Sequence, residues 1–148
     1  MEDELLQAKK KAMSLLEHMD RTEWQLRDKL TGKGFSEEAV DGAVEYVKSF
    51  HYLDDLRYAI RFVEIHHEQR SLQRLKQDLY QRHVSEENIE IALDHIDRDD
   101  TAALQRAVEK LTKGEGELSF QDKQKIAGKL YRKGFSLSDI KKELDMYT

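Results

Sequence analysis

The chain is predicted to be all-α, with three tandem three-helix repeats of helix-turn-helix character arranged as an elongated, curved array. Three observations predict this. First, one block recurs three times. Trp24-Gln25-Leu26-Arg27-Asp28-Lys29-Leu30 followed by Lys33-Gly34-Phe35-Ser36 returns as Gln73-Arg74-Leu75-Lys76-Gln77-Asp78-Leu79 followed by Arg82-His83-Val84-Ser85. It returns again as Gln124-Lys125-Ile126-Ala127-Gly128-Lys129-Leu130 followed by Lys133-Gly134-Phe135-Ser136, at offsets of 79 − 30 = 49 and 130 − 79 = 51 residues. A period near fifty is the signature of one small unit used repeatedly. Second, apolar residues fall at helical spacing throughout. Third, 37% of the residues are charged and proline is absent, which suits long exposed helices laced with ion pairs.

The elements follow in order. Ala8, Ala12, Leu15, Leu16 and Met19 form the first stripe, and Trp24, Leu26 and Leu30 begin the second. Val40, Ala43, Val44 and Val47 form the third at i, i+3, i+4, i+7. The second repeat supplies Ile60, Phe62 and Val63, then Leu72, Leu75 and Leu79, then Ile89, Leu93 and Ile96; the third supplies Leu104, Ala107, Val108 and Leu111, then Ile126 and Leu130, then Ile140, Leu144 and Tyr147. The repeats are expected over residues 1–53, 54–99 and 100–148.

Local chemistry marks the helix ends. Thr22 with Gln25 is a capping box. Ser36, Ser85 and Ser136 open the third helices, with acids following where the helix dipole favours them. Gly34 and Gly134 stop the second helices, and His83 holds that place in the middle repeat, where the turn should cost more or take another shape. Phe35, Val84 and Phe135 plug each turn. Lys113-Gly114-Glu115-Gly116-Glu117 is expected as a flexible loop between the first two helices of the third repeat.

Composition narrows the function. The absence of cysteine removes disulfides, thiolate metal sites and cysteine nucleophiles, and a reducing cytoplasm is the natural setting. No apolar run approaches the ~20 residues needed to span a bilayer, and the acidic start Met1-Glu2-Asp3-Glu4 is unlike a signal peptide. A net charge of −5 argues against a life spent on a nucleic-acid backbone. Charge is uneven: residues 101–148 carry ten Lys and Arg against seven Asp and Glu, residues 51–100 seven against twelve. A base-reading helix-turn-helix needs a basic face, which the acidic middle repeat does not provide. The six histidines lack metal-ligand spacing, and Gly32-Lys33-Gly34 lacks the strand and the Ser or Thr of a phosphate loop, so neither a metal, a cofactor nor catalysis is expected. Lys33, Arg82 and Lys133 share one repeat position and Arg74 and Lys125 another, with Lys129 and Arg132 thickening the third. They complement helix C-termini and could also form a cationic stripe towards an acidic protein or phosphates.

Tyr52-Leu53-Asp54-Asp55 followed by Tyr58-Ala59 reads as a weld between the first two repeats, with Tyr52 and Leu53 packing down and both aspartates capping the next helix. This stretch, with the Lys-Gly-Phe turns at 33–35 and 133–135 and the tandem units, resembles the RecX family of bacterial recombinase regulators, from about Ala8 to Leu144. The family signature is Gly-Tyr-Leu/Ile-Asp-Asp-x-x-Tyr/Phe-Ala; here His51 stands for its glycine, so the helix end is expected to turn less tightly. His83-Val84 replaces the middle Gly-hydrophobic pair, and Glu68-Gln69-Arg70-Ser71-Leu72 is less basic than in relatives. The resemblance implies a non-enzymatic modulator that lies in the groove of the RecA filament on single-stranded DNA and represses its ATPase and strand exchange; the acidic total suggests weak affinity for free DNA, and a monomer is expected because each apolar stripe is consumed by its own unit. Arg57, Arg61, Arg70, Arg74, Arg82, Lys125, Lys129, Arg132 and Lys133 are the candidate contacts. The alternative is a helical DNA-binding module or adaptor independent of RecA.

Overall fold

The computed structural model describes residues 2–114 and 116–147. Among these there are nine helices and no strand: α1 (Glu2–His18), α2 (Glu23–Gly32), α3 (Glu37–Ser49), α4 (Asp55–His66), α5 (Leu72–Gln81), α6 (Glu86–Leu93), α7 (Thr101–Thr112), α8 (Phe120–Arg132) and α9 (Leu137–Leu144). The loop expected at 113–117 separates α7 from α8; its Glu115 lies outside the described residues. The helices form two compact units, one of residues 1–61 with 79–92, the other of 62–78 with 93–148. The middle trio α4–α6 is therefore divided between them.

The core of the first unit is built on small residues. Ala8 and Ala12, one turn apart on α1, face Ala39, Val40, Ala43, Val44 and Val47 of α3, with Leu26, Leu30 and Leu53 closing the cluster. Alanines at i and i+4 let two helix backbones approach closely, and each larger side chain there removes apolar area worth ~25 cal/mol per Å². In the second unit Ala103, Leu104 and Val108 of α7 meet Ile126 and Leu130 of α8, Phe135, and Ile140 and Leu144 of α9. Leu30, Leu79 and Leu130 are each fully buried, so the repeat-equivalent leucines share one environment. Met19 and Trp24, expected in stripes, are about half exposed.

The recurring block folds into the same turn three times. The Leu30, Leu79 and Leu130 carbonyls accept from the N–H of Lys33, Arg82 and Lys133, each at 3.1 Å, and from Phe35, Val84 and Phe135 at 3.4, 3.2 and 3.3 Å. Gly34, His83 and Gly134 donate to Thr31, Tyr80 and Tyr131, each at 3.0 Å. This is the Schellman arrangement, which requires a left-handed residue before the apolar plug. His83 supplies it at φ 59°, so the middle turn has the same shape as its neighbours. Its ring stacks on Trp24, with centroids 4.3 Å apart, which offsets the cost of a β-carbon in that conformation.

The end of α3 repeats the device. His51 sits at φ 61° and donates to Lys48, while Tyr52 donates back to Val47 at 2.9 Å. The turn is thus as tight with histidine as with glycine, contrary to expectation. A left-handed β-carbon costs ~1–2 kcal/mol. His51→Gly should therefore stabilise the protein by about 1 kcal/mol in urea denaturation, whereas His83→Gly, which forfeits the Trp24 stack, should be near neutral.

Candidate functional site

Capping residues in both units serve two helix ends at once. Thr22 is the N-cap of α2: its hydroxyl accepts from the Gln25 N–H and the Gln25 side chain accepts from the Thr22 N–H, completing the capping box. The same hydroxyl donates to the Arg82 carbonyl just beyond α5, at 2.9 Å. Ser71 does likewise at the start of α5, accepting from the Arg74 N–H at 3.1 Å and donating to the Lys133 carbonyl beyond α8 at 2.9 Å. Each hydroxyl so joins a positive helix N-terminus to a negative C-terminus.

A carboxylate completes each junction. Asp55 accepts from the Glu23 N–H at 2.8 Å and Asp100 from the Leu72 N–H at 2.7 Å, so two acids at helix starts cap other helices. Asp54 caps α4 as expected, accepting from the Arg57 N–H at 3.1 Å; Asp55, expected to cap the same helix, does not. Asp99-Asp100 is the counterpart of Asp54-Asp55, a doublet 45 positions on (100 − 55 = 45), which the sequence reading passed over. Burial pushes both Asp55 and Asp100 up from the ordinary carboxylate range, more than the backbone N–H bonds pull them down. Burial also raises Glu23, but hydrogen bonds from Lys48 and Arg27 outweigh it and hold that group low.

Around the second junction lies a cleft of about 460 Å³, lined by Gln69, Arg70, Ser71 and Arg74 ahead of and on α5, Arg106, Ala107 and Lys110 on α7, and Lys133 and Phe135 after α8. Five of these side chains are cationic and none is a carboxylate. Behind two of them lies Asp78, almost fully buried, which accepts from Arg70 Nη1 at 2.7 Å and Arg74 Nε at 2.9 Å. It fixes both guanidiniums in place, and Arg70 also lies over the Phe62 ring at 5.5 Å. Five cations and no carboxylate in its lining make an anion-attracting surface on a chain that is acidic overall.

The structure brings together Arg70, Arg74 and Lys133 of the nine expected contacts, and adds Arg106 and Lys110, which pattern reading missed because they lie on α7, outside the recurring block. The one sequence signal for them is the spacing itself, i and i+4 on an otherwise apolar-striped helix. Lys125, Lys129 and Arg132 are exposed on α8 and do not line the cleft. Half-buried Arg82 contributes its carbonyl to the Thr22 junction. Arg57 closes the end of α3, donating to the His51 and Tyr52 carbonyls at 2.8 and 3.2 Å. Arg61 pairs with Asp20 at the surface, where an ion pair contributes ~0–1 kcal/mol. Within the signature, Leu53 and Ala59 are buried and Tyr58 is half-buried, but Tyr52, expected to pack down, is 49% exposed. No group of three or more His, Asp or Glu among the described residues could hold a metal ion, and none of their helices is long and apolar enough to cross a membrane.

Helix ends locked in pairs within each unit, with a charged cleft at one of the locks, define a helical-repeat protein. Comparison with known proteins narrows the class: the RecX first, second and third three-helix domains match residues 8–46, 54–93 and 97–144. The regulatory protein RecX of Clostridium botulinum (strain Alaska E43 / Type E3) is 33% identical over 94% of this chain and 68% of its own length. That of Caldanaerobacter subterraneus subsp. tengcongensis is 36% identical over 97% and 72%. A crystal structure of regulatory protein RecX shares the fold, with a TM-score of 0.82 at 22% identity, over 97% of this chain and 72% of that one. The chain belongs to the RecX family of regulatory proteins.

Two measurements probe the junction. A β-carbon on Gly134 would lie 2.6 Å from Ser71 Oγ, whereas one on Gly34 meets nothing within 4 Å, although both glycines are left-handed. Gly34→Ala should cost ~1 kcal/mol of strain, and Gly134→Ala about 2–3 kcal/mol because it also displaces the Ser71 hydrogen bond. For Asp100 the raised folded-state pKa means that the folded protein binds the proton more readily, so this group favours folding at low pH and loses that advantage as pH rises through its folded pKa. Asp100→Asn, neutral yet able to accept from Leu72, should match or exceed the parent in urea stability at pH 7, with the difference shrinking towards pH 4. Asp100→Ala should lose ~1–3 kcal/mol.

Proposed function

We propose that the protein binds the RecA recombinase filament on single-stranded DNA and represses its ATPase and strand exchange, modulating recombination and DNA repair. It acts in the cytoplasm as a monomer, without a cofactor and without catalysis of its own. Membership of a family of regulatory proteins supports this reading, and the cationic cleft is the observation that carries the contact assignment. Such a cleft suits carboxylates or phosphates presented by a larger assembly, because attraction acts at range and aligns the partners before contact. Three linked segments, 1–53, 54–99 and 100–148, would let weak contacts on a periodic partner reinforce one another through effective concentration. A net charge of −5 disfavours the other reading, a free-DNA module.

The cleft also dictates the variant to use. Reversing Arg74 would set a new anion beside buried Asp78 and disturb the fold. Arg106 and Lys110 are exposed. Arg106→Glu with Lys110→Glu should therefore leave the melting temperature within a few degrees of the parent. In a RecA ATPase assay on single-stranded DNA, the parent should repress at amounts below the RecA concentration and the double variant should need at least about tenfold more, ~1.4 kcal/mol of lost affinity. Equal repression by both proteins removes the cleft from the contact. Tight, salt-steep DNA binding by the parent without RecA, and no repression, would establish the DNA-module reading instead.

A further inference from the structure

The cations of the second unit's cleft are not all balanced by the protein itself. Arg70 and Arg74 share the buried carboxylate of Asp78. Arg106 and Lys110 stand one turn apart on α7, where like charges repel. Both are exposed, and neither they nor the Lys133 ammonium pair with any acid among the described residues. Lys110 in the last turn of α7 and Lys133 at the cap of α8 complement helix C-termini. Arg106, in the middle of its helix, has no such use. A cleft lined by one sign of charge focuses the field and gathers counter-ions, so repulsion left standing there points to a negative ligand.

Size and donor type identify that ligand. At about 460 Å³ the cleft has the dimensions of a small-molecule site, which run from about 300 to 1,000 Å³. Its charges come from three separate stretches: Arg70 and Arg74 about the start of α5, Arg106 and Lys110 on α7, and Lys133 after α8. They therefore meet around one volume, whereas charges that follow a nucleic-acid strand lie along a groove and alternate with exposed rings. The only ring in this lining, Phe135, is buried. Three of the five cations are arginines, whose planar donors match phosphate oxygens in pairs. A carboxylate brings a single charge and leaves most of the cleft unbalanced. A phosphate group brings about −1.5 to −2 and three acceptor oxygens, so a few linked in a chain match five cations in this space.

We propose that the cleft binds a short chain of linked phosphates free in solution, of the kind found in inorganic polyphosphate and in the tail of a nucleoside triphosphate. Arg106, Lys110 and Lys133 supply the unbalanced charge, and Arg70 and Arg74, fixed by Asp78, form the preorganised side. One consequence rests on the RecA reading: a seated anion masks the charge offered to that partner. The binding itself does not, and its test uses no recombinase. Isothermal titration calorimetry at constant ionic strength measures the full chain with inorganic triphosphate, orthophosphate and citrate. Triphosphate should bind at one site, at least about tenfold more tightly than either of the others. Arg106→Gln with Lys110→Gln should weaken it at least about tenfold. Lys141→Gln with Lys142→Gln removes the same charge from exposed positions on α9 outside the cleft and should keep parental affinity. All four positions are exposed and glutamine is a good helix former, so both variants should melt within a few degrees of the parent. Four outcomes overturn the proposal: no saturable triphosphate binding, citrate bound as tightly as triphosphate, no loss in the α7 pair, or equal loss in both pairs. Adenosine triphosphate separates the two sources of the phosphates. Affinity equal to that of triphosphate assigns a nucleotide and a clear loss assigns an inorganic chain, and either result upholds the site.

Discussion

A hydroxyl shared between two helix ends is the interaction on which the rest of this molecule depends. Ser71 closes the first turn of α5 and, in the same geometry, takes up the carbonyl of Lys133 beyond α8. A helix leaves unsatisfied N–H groups at its start and carbonyls at its finish, and burying either without a partner costs several times what a formed hydrogen bond contributes. Setting the start of one helix against the finish of another cancels both deficits and aligns opposite partial charges. The aspartate at the next helix start then answers a further N–H. Thr22, Arg82 and Asp55 perform the same operation in the first unit.

The cationic cleft inherits its position from that lock. Lys133 reaches the cleft because its carbonyl is tied to Ser71, and Arg74 because its N–H is capped by the same oxygen. Asp78 is the complementary device. A nearly buried carboxylate would be costly alone, but with two arginines it becomes a fixed anchor for both side chains. Charge in the cleft is thus concentrated by placement, on a chain whose sum is acidic, and net charge alone would not have disclosed it.

Much of the fold was legible because its signals are local. Helical spacing, the Thr22 capping box, the serines opening the third helices and the glycine turns each concern residues within a few positions of one another. Their threefold recurrence multiplied a weak pattern into a firm one. The sequence was least telling where one residue substitutes for another's conformation, as at His51, whose turn is as tight as a glycine's. His51 and His83 both adopt the glycine geometry, since a left-handed residue is demanded by the hydrogen bonds on either side and the penalty is small enough for a ring stack or a guanidinium clamp to absorb. Tyr52 was misread for a related reason: a tyrosine beside a buried leucine suggests packing, yet the tight turn at His51 carries it into solvent.

By itself the sequence determined the helices, their number in the repeating pattern and the turns that end them, because these follow from side-chain periodicity and from backbone preferences a few residues long. It also marked Arg70, Arg74 and Lys133 as members of a charged set. Only the tertiary structure decided that Arg106 and Lys110 join them, that Arg57 is spent on two carbonyls, and that Asp55 and Asp100 cap helices other than their own. The two aspartate choices depend on which helix ends meet across 28 and 32 positions of chain, a distance over which no periodicity carries information and packing alone selects the partner.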